Sequence, residues 1–351
     1  MSKKRVVAVI MGNGHIGLVE DPVPEVKPGW VLVEVHNSLI SPGTELGGFR
    51  ALKQKMELSD KTAQPRKFGY SNAGIVMETG KGIDELKPGD RIAAIGAGYA
   101  LHSNYAVVPH NLCFKLPENV SFAQGSYAML AATSLHALRR GEPEFGEYCA
   151  MVGLGIVGQL AAMLYQLAGN YVIGWDTIPF RTDTARKWGI CAVAVPGSED
   201  EVAATLQFTG GSGLDAAVMA FGGDGTRAYQ SLEKCLKLSP DTHRMGRIVV
   251  VGGAHFAYPA VTTNIDIRRA SRTGPGYHDE IWETGGDYPP VFMRWTTRTN
   301  GALCLRLMAE GRLNVDCLTT HTVPLAEAED RILAILEKPD EILGVVFEMQ
   351  H

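Results

Sequence analysis

The sequence predicts an α/β protein in two parts, a β-rich opening third followed by a doubly wound parallel sheet. Three observations carry this expectation. Short strand-like runs separated by Pro- and Gly-bearing turns fill the first third, continuous apolar runs alternate with helical ones as far as Gly253, and a glycine-rich turn joins one of those runs to a helix. At 351 residues the chain exceeds the usual size of a single core, which favours two domains.

The first strands are Arg5–Met11 and Trp30–Val35, with turns at Lys27-Pro28-Gly29 and Lys87-Pro88-Gly89-Asp90. Composition becomes helical over Ala123–Arg140. Tyr148–Val152, Tyr171–Trp175, Ala216–Phe221 and Ile248–Val251 are apolar throughout, as parallel strands covered on both faces must be. After a segment rich in Pro, Gly and aromatics come an amphipathic helix at Gly301–Glu310 and a short apolar strand at Gly344–Glu348.

Charge and composition exclude several classes. Lys and Arg total 33 against 38 Asp and Glu, a net charge of -5 that offers no footprint for a nucleic-acid backbone. The apolar run Val6–Met11 is too short for a signal-peptide core, and no stretch approaches the roughly twenty apolar residues that span a bilayer. A cytoplasmic protein without a membrane partner is expected. The six cysteines, at 113, 149, 191, 235, 304 and 317, include no C-x-x-C pair and no Cys/His cluster at metal-ligand spacing, so they read as buried reduced thiols.

The most informative motif is Gly153-Leu154-Gly155-Ile156-Val157-Gly158, which follows the strand Tyr148–Val152 and precedes the helical run Gln159–Leu167. In a Rossmann-type unit Gly153 permits the tight turn, Gly155 lets the backbone approach a pyrophosphate, and Gly158 lets the helix pack close to the strand. The N–H groups at Ile156 and Val157 then open a helix N-terminus toward the anion. Asp176 ends the next strand eighteen residues after Gly158, where a carboxylate accepts from the adenine ribose hydroxyls. NAD(H) is therefore preferred to NADP(H), whose 2′-phosphate would meet that carboxylate. Arg181 is the nearby cation, read as packing over the adenine or solvated rather than as selecting a phosphate. Gly252-Gly253 follow the Ile248–Val251 strand as a further backbone approach to the nicotinamide.

The β-rich opening, its Lys87-Pro88-Gly89-Asp90-Arg91 turn and this fingerprint together resemble the medium-chain dehydrogenase/reductase superfamily, along nearly the whole chain. The resemblance implies a GroES-like catalytic domain over 1–120, a Rossmann NAD-binding domain over 121–296 entered by a helix near Ala131–Leu138, and a return segment, 297–351, that completes the catalytic domain. Zinc-dependent members carry three ligands that this chain lacks. Pro42 stands at the cysteine position in Ser41-Pro42-Gly43-Thr44-Glu45, Tyr70 at the histidine position in Gly69–Gly74, and Met129 about where the third ligand falls. The structural four-cysteine loop is also missing between Arg91 and Pro117. The Ser-Pro-Gly-Thr-Glu motif, with Gly274–Tyr277, Asp287–Pro289 and Arg294–Thr296, is similar to zinc-lacking members, so no metal and no zinc are expected.

Without zinc, hydride transfer still needs a group that gives and takes the hydroxyl proton. Tyr70 is the candidate, with the alternative that it fills the volume of the metal. Thr44 resembles the family's relay hydroxyl beside the nicotinamide ribose and so is a candidate for both chemistry and cofactor binding. Glu45 reads as a loop anchor more than a base, and Ser41 as a substrate contact or a turn residue. His102, His278 and His321 stand in loop-like contexts open to a general acid or base, His102 and His278 being the two candidates retained, while His136 falls in a helix. Tyr277, Arg294 and Trp295 would shape a polar or planar substrate site or an ordered contact. The leading activity is zinc-independent, NAD(H)-linked interconversion of a secondary alcohol and a ketone on a sugar, cyclitol or similar small molecule. A quinone or enone reductase and a non-catalytic NAD(H) sensor stay open. A homodimer is implied.

Overall fold

The computed structural model describes residues 4–11, 15–45, 65–257 and 263–350. They form two compact units, one of Met1–Ala132 with Thr273–His351 and the other of Thr133–Arg272. Against the expected edges at 121 and 296, residues 121–132 and 273–296 group with the first unit. The reason is their hydrogen bonding: Ser71 Oγ donates to the Ser126 carbonyl at 2.6 Å, and Asn111 Nδ2 donates to the carbonyls of Trp282 and Gly286 at 2.5 and 2.9 Å.

The first unit opens with β1 (Lys4–Ile10), β2 (Ile16–Pro22), β3 (Trp30–Leu39) and the short β4 (Arg66–Lys67), and continues with β5 (Ser71–Thr79), β6 (Arg91–Ile95), β7 (Tyr105–Pro109) and β8 (Cys113–Lys115). β3 runs past its expected end at Val35 because Ser38 and Leu39 pair with the C-terminal strand. Its Val31, Val33 and Val35 are all fully buried on one face, the period of two that a pleated strand imposes. Gly29 ends the turn before it at φ 79, where an added Cβ would lie 2.3 Å from the Thr284 carbonyl oxygen.

The second unit is a parallel sheet of β9 (Tyr148–Val152), β10 (Tyr171–Trp175), β11 (Ala192–Ala194), β12 (Ala216–Met219), β14 (Met245–Val250) and β16 (Asn264–Arg269), with a small ladder of β13 (Gly223–Asp224) and β15 (Ala254–His255) beside it. The order β11-β10-β9-β12-β14-β16 makes the chain step one way from β9 and then return to its other side, the switch point at which such sheets bind ligands. Successive β9 residues enter opposite cores, Ala150 and Val152 one and Cys149 and Met151 the other, which is why the run is apolar throughout. The expected helix Ala123–Arg140 is two helices, Phe122–Gly125 and Ala128–Gly141, the first closed by a Ser121/Gln124 capping box.

β17 (Thr319–Pro324) and β18 (Gly344–Glu348) return to the first unit, where β18 pairs antiparallel with β3 and completes the order β17-β18-β3-β5-β6-β8. His321 therefore lies on a strand and not in a loop. The six cysteines are free, and Cys113, Cys149, Cys235 and Cys304 are buried as expected, whereas Cys191 is exposed and Cys317 half-buried. Among the described residues no helix is long and apolar enough to cross a membrane.

Candidate active site

In the first unit the chain folds a polar corner around Tyr70. The residue precedes β5, its carbonyl accepts from Gly96 N–H at 2.9 Å, and its side chain is 7% exposed. Ser41 and Thr44, in the turn after β3, lie beside the phenol, and Tyr277 and the Glu45 carboxylate lie near enough to act on it electrostatically. Burial first, and then the Glu45 charge, push the phenol well above its ordinary value of 10.0, with the two hydroxyls offsetting part of that. The group stays a protonated donor at any ordinary pH. Ser41 is buried, whereas Thr44 is exposed.

Glu45 closes the turn on itself. Its Oε2 accepts from Ser41 N–H at 2.6 Å, and its own N–H donates to the Ser41 carbonyl at 3.0 Å. This is the loop-anchoring geometry. Its Oε1 lies 3.1 Å from His102 Nε2, and His102 Nδ1 is 2.7 Å from Ser38 Oγ. His102 was expected in a loop open to a cleft, but it is fully buried with both ring nitrogens engaged. His278 is exposed, takes φ 70, and lays its ring 4.1 Å from that of Tyr277. Tyr277, kept out of the catalytic set above, accepts Ala97 N–H on its hydroxyl at 2.9 Å and so belongs to the corner. Ser71 was also missed; its hydroxyl accepts Met129 N–H at 3.3 Å and ties the start of the helix Ala128–Gly141 beside Tyr70.

The donor chemistry of this corner does not fit zinc. Pro42 has no donor, Tyr70 is held protonated, Met129 offers a thioether, and the polar atoms of Glu45 and His102 are already paired with one another and with Ser41 and Ser38. Among the described residues no group of three or more His, Cys, Asp or Glu is gathered as a metal site.

In the second unit the fingerprint has the geometry its glycines foretell. Gly153 sits at φ 89 against the Ala220 carbonyl at the end of β12, where a Cβ would be 3.0 Å from the oxygen. Gly158 has no room at all, since a Cβ would come within 1.8 Å of the Gly153 carbonyl oxygen. Beside Gly155 there is open space, and the helix Ile156–Leu167 starts there without a side-chain cap, leaving its first N–H groups to an incoming anion. These residues fit a dinucleotide pyrophosphate. Gly252, at φ 89, and Gly253 face Phe221 and Gly222 across the neighbouring strand ends.

Asp176 is more occupied than a bare ribose acceptor. Its Oδ2 accepts from Leu154 N–H at 2.7 Å and its Oδ1 from Ile178 N–H at 2.9 Å, while Arg181 Nη1 lies 3.4 Å from Oδ2. Arg181 thus pairs with Asp176 instead of standing in solvent. The sequence reading passed over Gln159, which is fully buried and clamps the turn by donating to the carbonyls of Leu154 and Arg181 at 3.1 and 2.8 Å and accepting from Trp188 Nε1 at 2.7 Å.

Comparison with known proteins agrees with this architecture. Residues 27–118 match the alcohol dehydrogenase GroES-like domain. Mus musculus sorbitol dehydrogenase is 26% identical, over 91% of this chain and 89% of its own. An Escherichia coli oxidoreductase/dehydrogenase of unknown specificity has the same fold, with a TM-score of 0.80 at 18% identity over 99% of this chain and 100% of its own. So does a Sinorhizobium meliloti 1021 dehydrogenase bound to NADP, with a TM-score of 0.76 at 18% identity over 99% and 100%. A GroES-like domain and a Rossmann-type sheet in one chain define an alcohol dehydrogenase-like oxidoreductase. Residues 27–118 are a GroES-like domain of the alcohol dehydrogenase kind, and over nearly its whole length the chain is similar to sorbitol dehydrogenase.

Proposed function

We propose that the protein interconverts a secondary alcohol and a ketone on a sugar, cyclitol or similar polar small molecule, with NAD(H) and without zinc. The observation that carries this reading is Tyr70, a buried phenol beside Ser41 and Thr44 in a corner whose donor set does not fit the metal. The nicotinamide supplies or accepts the hydride when bound. In the reducing direction Tyr70 donates its proton to the substrate oxygen as charge develops there, and the exposed Thr44 hydroxyl resupplies the phenol from solvent. A phenol held neutral is in the protonated form that ketone reduction requires. The polyol named for the mouse relative supports the CH–OH class. The test is turnover of polyols, their ketones and enones with both nucleotides, on protein whose metal content has been measured. Ketone or polyol turnover in metal-free protein is expected; turnover of enones alone would overturn the assignment.

NAD(H) preference is supported by Asp176, but Arg181 neutralises part of its field and narrows the discrimination. Asp176→Asn is expected to shift the ratio of NADPH to NADH affinity toward NADPH by about tenfold, and Arg181→Ala to shift it the other way by a similar factor, the size of one partly solvated charge pair. Fluorescence titration with each nucleotide checks both signs. Equal ratios in the parent and both variants would remove the pair from cofactor selection.

A further inference from the structure

We propose that His102 is a positioning residue for Tyr70, acting through Glu45 on the turn Ser41–Glu45. This rests on the reading of Tyr70 as the proton donor. His102 holds the surroundings of that phenol from two sides. On one side its Nε2 binds Glu45 Oε1 at 3.1 Å, the other carboxylate oxygen takes Ser41 N–H at 2.6 Å, and this turn carries Ser41 and Thr44 beside the phenol. On the other, His102 N–H donates to the Phe68 carbonyl at 3.2 Å, two residues before Tyr70, and the intervening Gly69 runs so close that a Cβ would be 2.3 Å from the His102 nitrogen. The second arm belongs to the backbone and stays when the side chain is changed, so substitution of the imidazole releases the turn through Glu45.

The site also explains the residue type. Glu45 is a buried carboxylate that needs a donor, and Ser38 offers a hydroxyl 2.7 Å from Nδ1. An imidazole with its hydrogen on Nε2 donates to Glu45, and its Nδ1 lies within hydrogen-bond distance of the Ser38 hydroxyl, which can act as donor or acceptor. The ring is pinned by the edges of Phe68 and Phe347, with centroids 5.0 and 5.2 Å away. Because the ring is fully buried with both nitrogens engaged, the His102 side chain acts through Glu45 and the turn.

The test uses the full-length protein, steady-state ketone reduction, and the carbon resonance of Tyr70 in protein labelled at the tyrosine Cζ, assigned by its loss in Tyr70→Phe. His102→Ala is expected to lower kcat about 100-fold, the effect of roughly an ångström of misplacement, with KM within about threefold, and to move the Tyr70 resonance. His102→Gln, whose amide can still donate to Glu45, is expected to recover kcat to within about tenfold of the parent. A His102→Ala variant with kcat within about threefold of the parent and an unmoved resonance would overturn the proposal, as would a folded His102→Gln no better than His102→Ala. Should His102→Ala not fold, Ser38→Ala decides: a lowered kcat with a moved resonance is expected, and parent values of both overturn it. Parent activity in Tyr70→Phe would instead refute Tyr70 as donor, leaving the resonance to report on positioning.

Discussion

Tyr70→Phe is expected to lower kcat/KM for the favoured ketone by between about 10² and 10⁴-fold, the usual contribution of a positioned proton donor. The substitution deletes one oxygen and keeps the ring, so the packing of a residue that is 7% exposed is preserved and the melting temperature should change little. It leaves the Ser41 and Thr44 hydroxyls without the phenol oxygen beside them, and Thr44, being exposed, turns to water instead. Dinucleotide affinity should stay at the parent value, because the fingerprint residues do not include Tyr70. The pH dependence gives a second handle. A phenol raised above 10.0 remains protonated as pH rises through neutrality, so the parent rate of ketone reduction should lack an alkaline limb from Tyr70 below about pH 9. A variant with parent kcat/KM would mean that Tyr70 only fills the volume of the metal.

The parts of this protein that were legible in the sequence are those written in local pattern. The fingerprint occupies six consecutive residues, and its glycines carry constraints that the backbone confirms at Gly153 and Gly158. The central parallel strands β9, β10 and β12 are short runs that enter two cores at once, so no charged residue interrupts them, whereas the edge strand β16 carries Asp266, Arg268 and Arg269 and was not legible as a strand. What escaped depends on contacts between distant residues. His102 reads as an open loop histidine because its partners Glu45 and Ser38 lie 57 and 64 positions away. Tyr277 meets Ala97 across 180 positions, and Asn111 captures the segment around Trp282 across 171, which is why that segment groups with the first unit although it follows the Rossmann strands in sequence. Asp176 was legible in place but not in state, since its pairing with Arg181 depends on how the helix Pro179–Trp188 starts.

The glycines of the fingerprint should separate folding from cofactor binding. Gly155 has φ -65 and ψ -177, which any residue can adopt, and a Cβ there would meet nothing within 4 Å. Gly155→Ala should therefore fold as well as the parent, and a gain of about 0.4–1 kcal/mol is expected from the reduced freedom of the unfolded chain. The methyl group would project into the space beside an uncapped helix N-terminus, so a pyrophosphate seated there would be pushed off its backbone donors. Losing about 2.7 kcal/mol of such charge-assisted hydrogen bonding corresponds to an affinity about 100-fold weaker. Gly158→Ala acts through a different atom. Its Cβ would stand 1.8 Å from the Gly153 carbonyl oxygen, a backbone atom that moves only if the turn and the helix separate. A stability loss of about 3 kcal/mol or more is expected, at the upper end of overpacking costs. Chemical denaturation and NADH titration of the two variants measure both quantities. If Gly155→Ala bound NADH as tightly as the parent while remaining stable, the pyrophosphate would have to lie elsewhere than on this turn. If Gly158→Ala were as stable as the parent, the close approach of helix and strand would not be what holds the turn in shape.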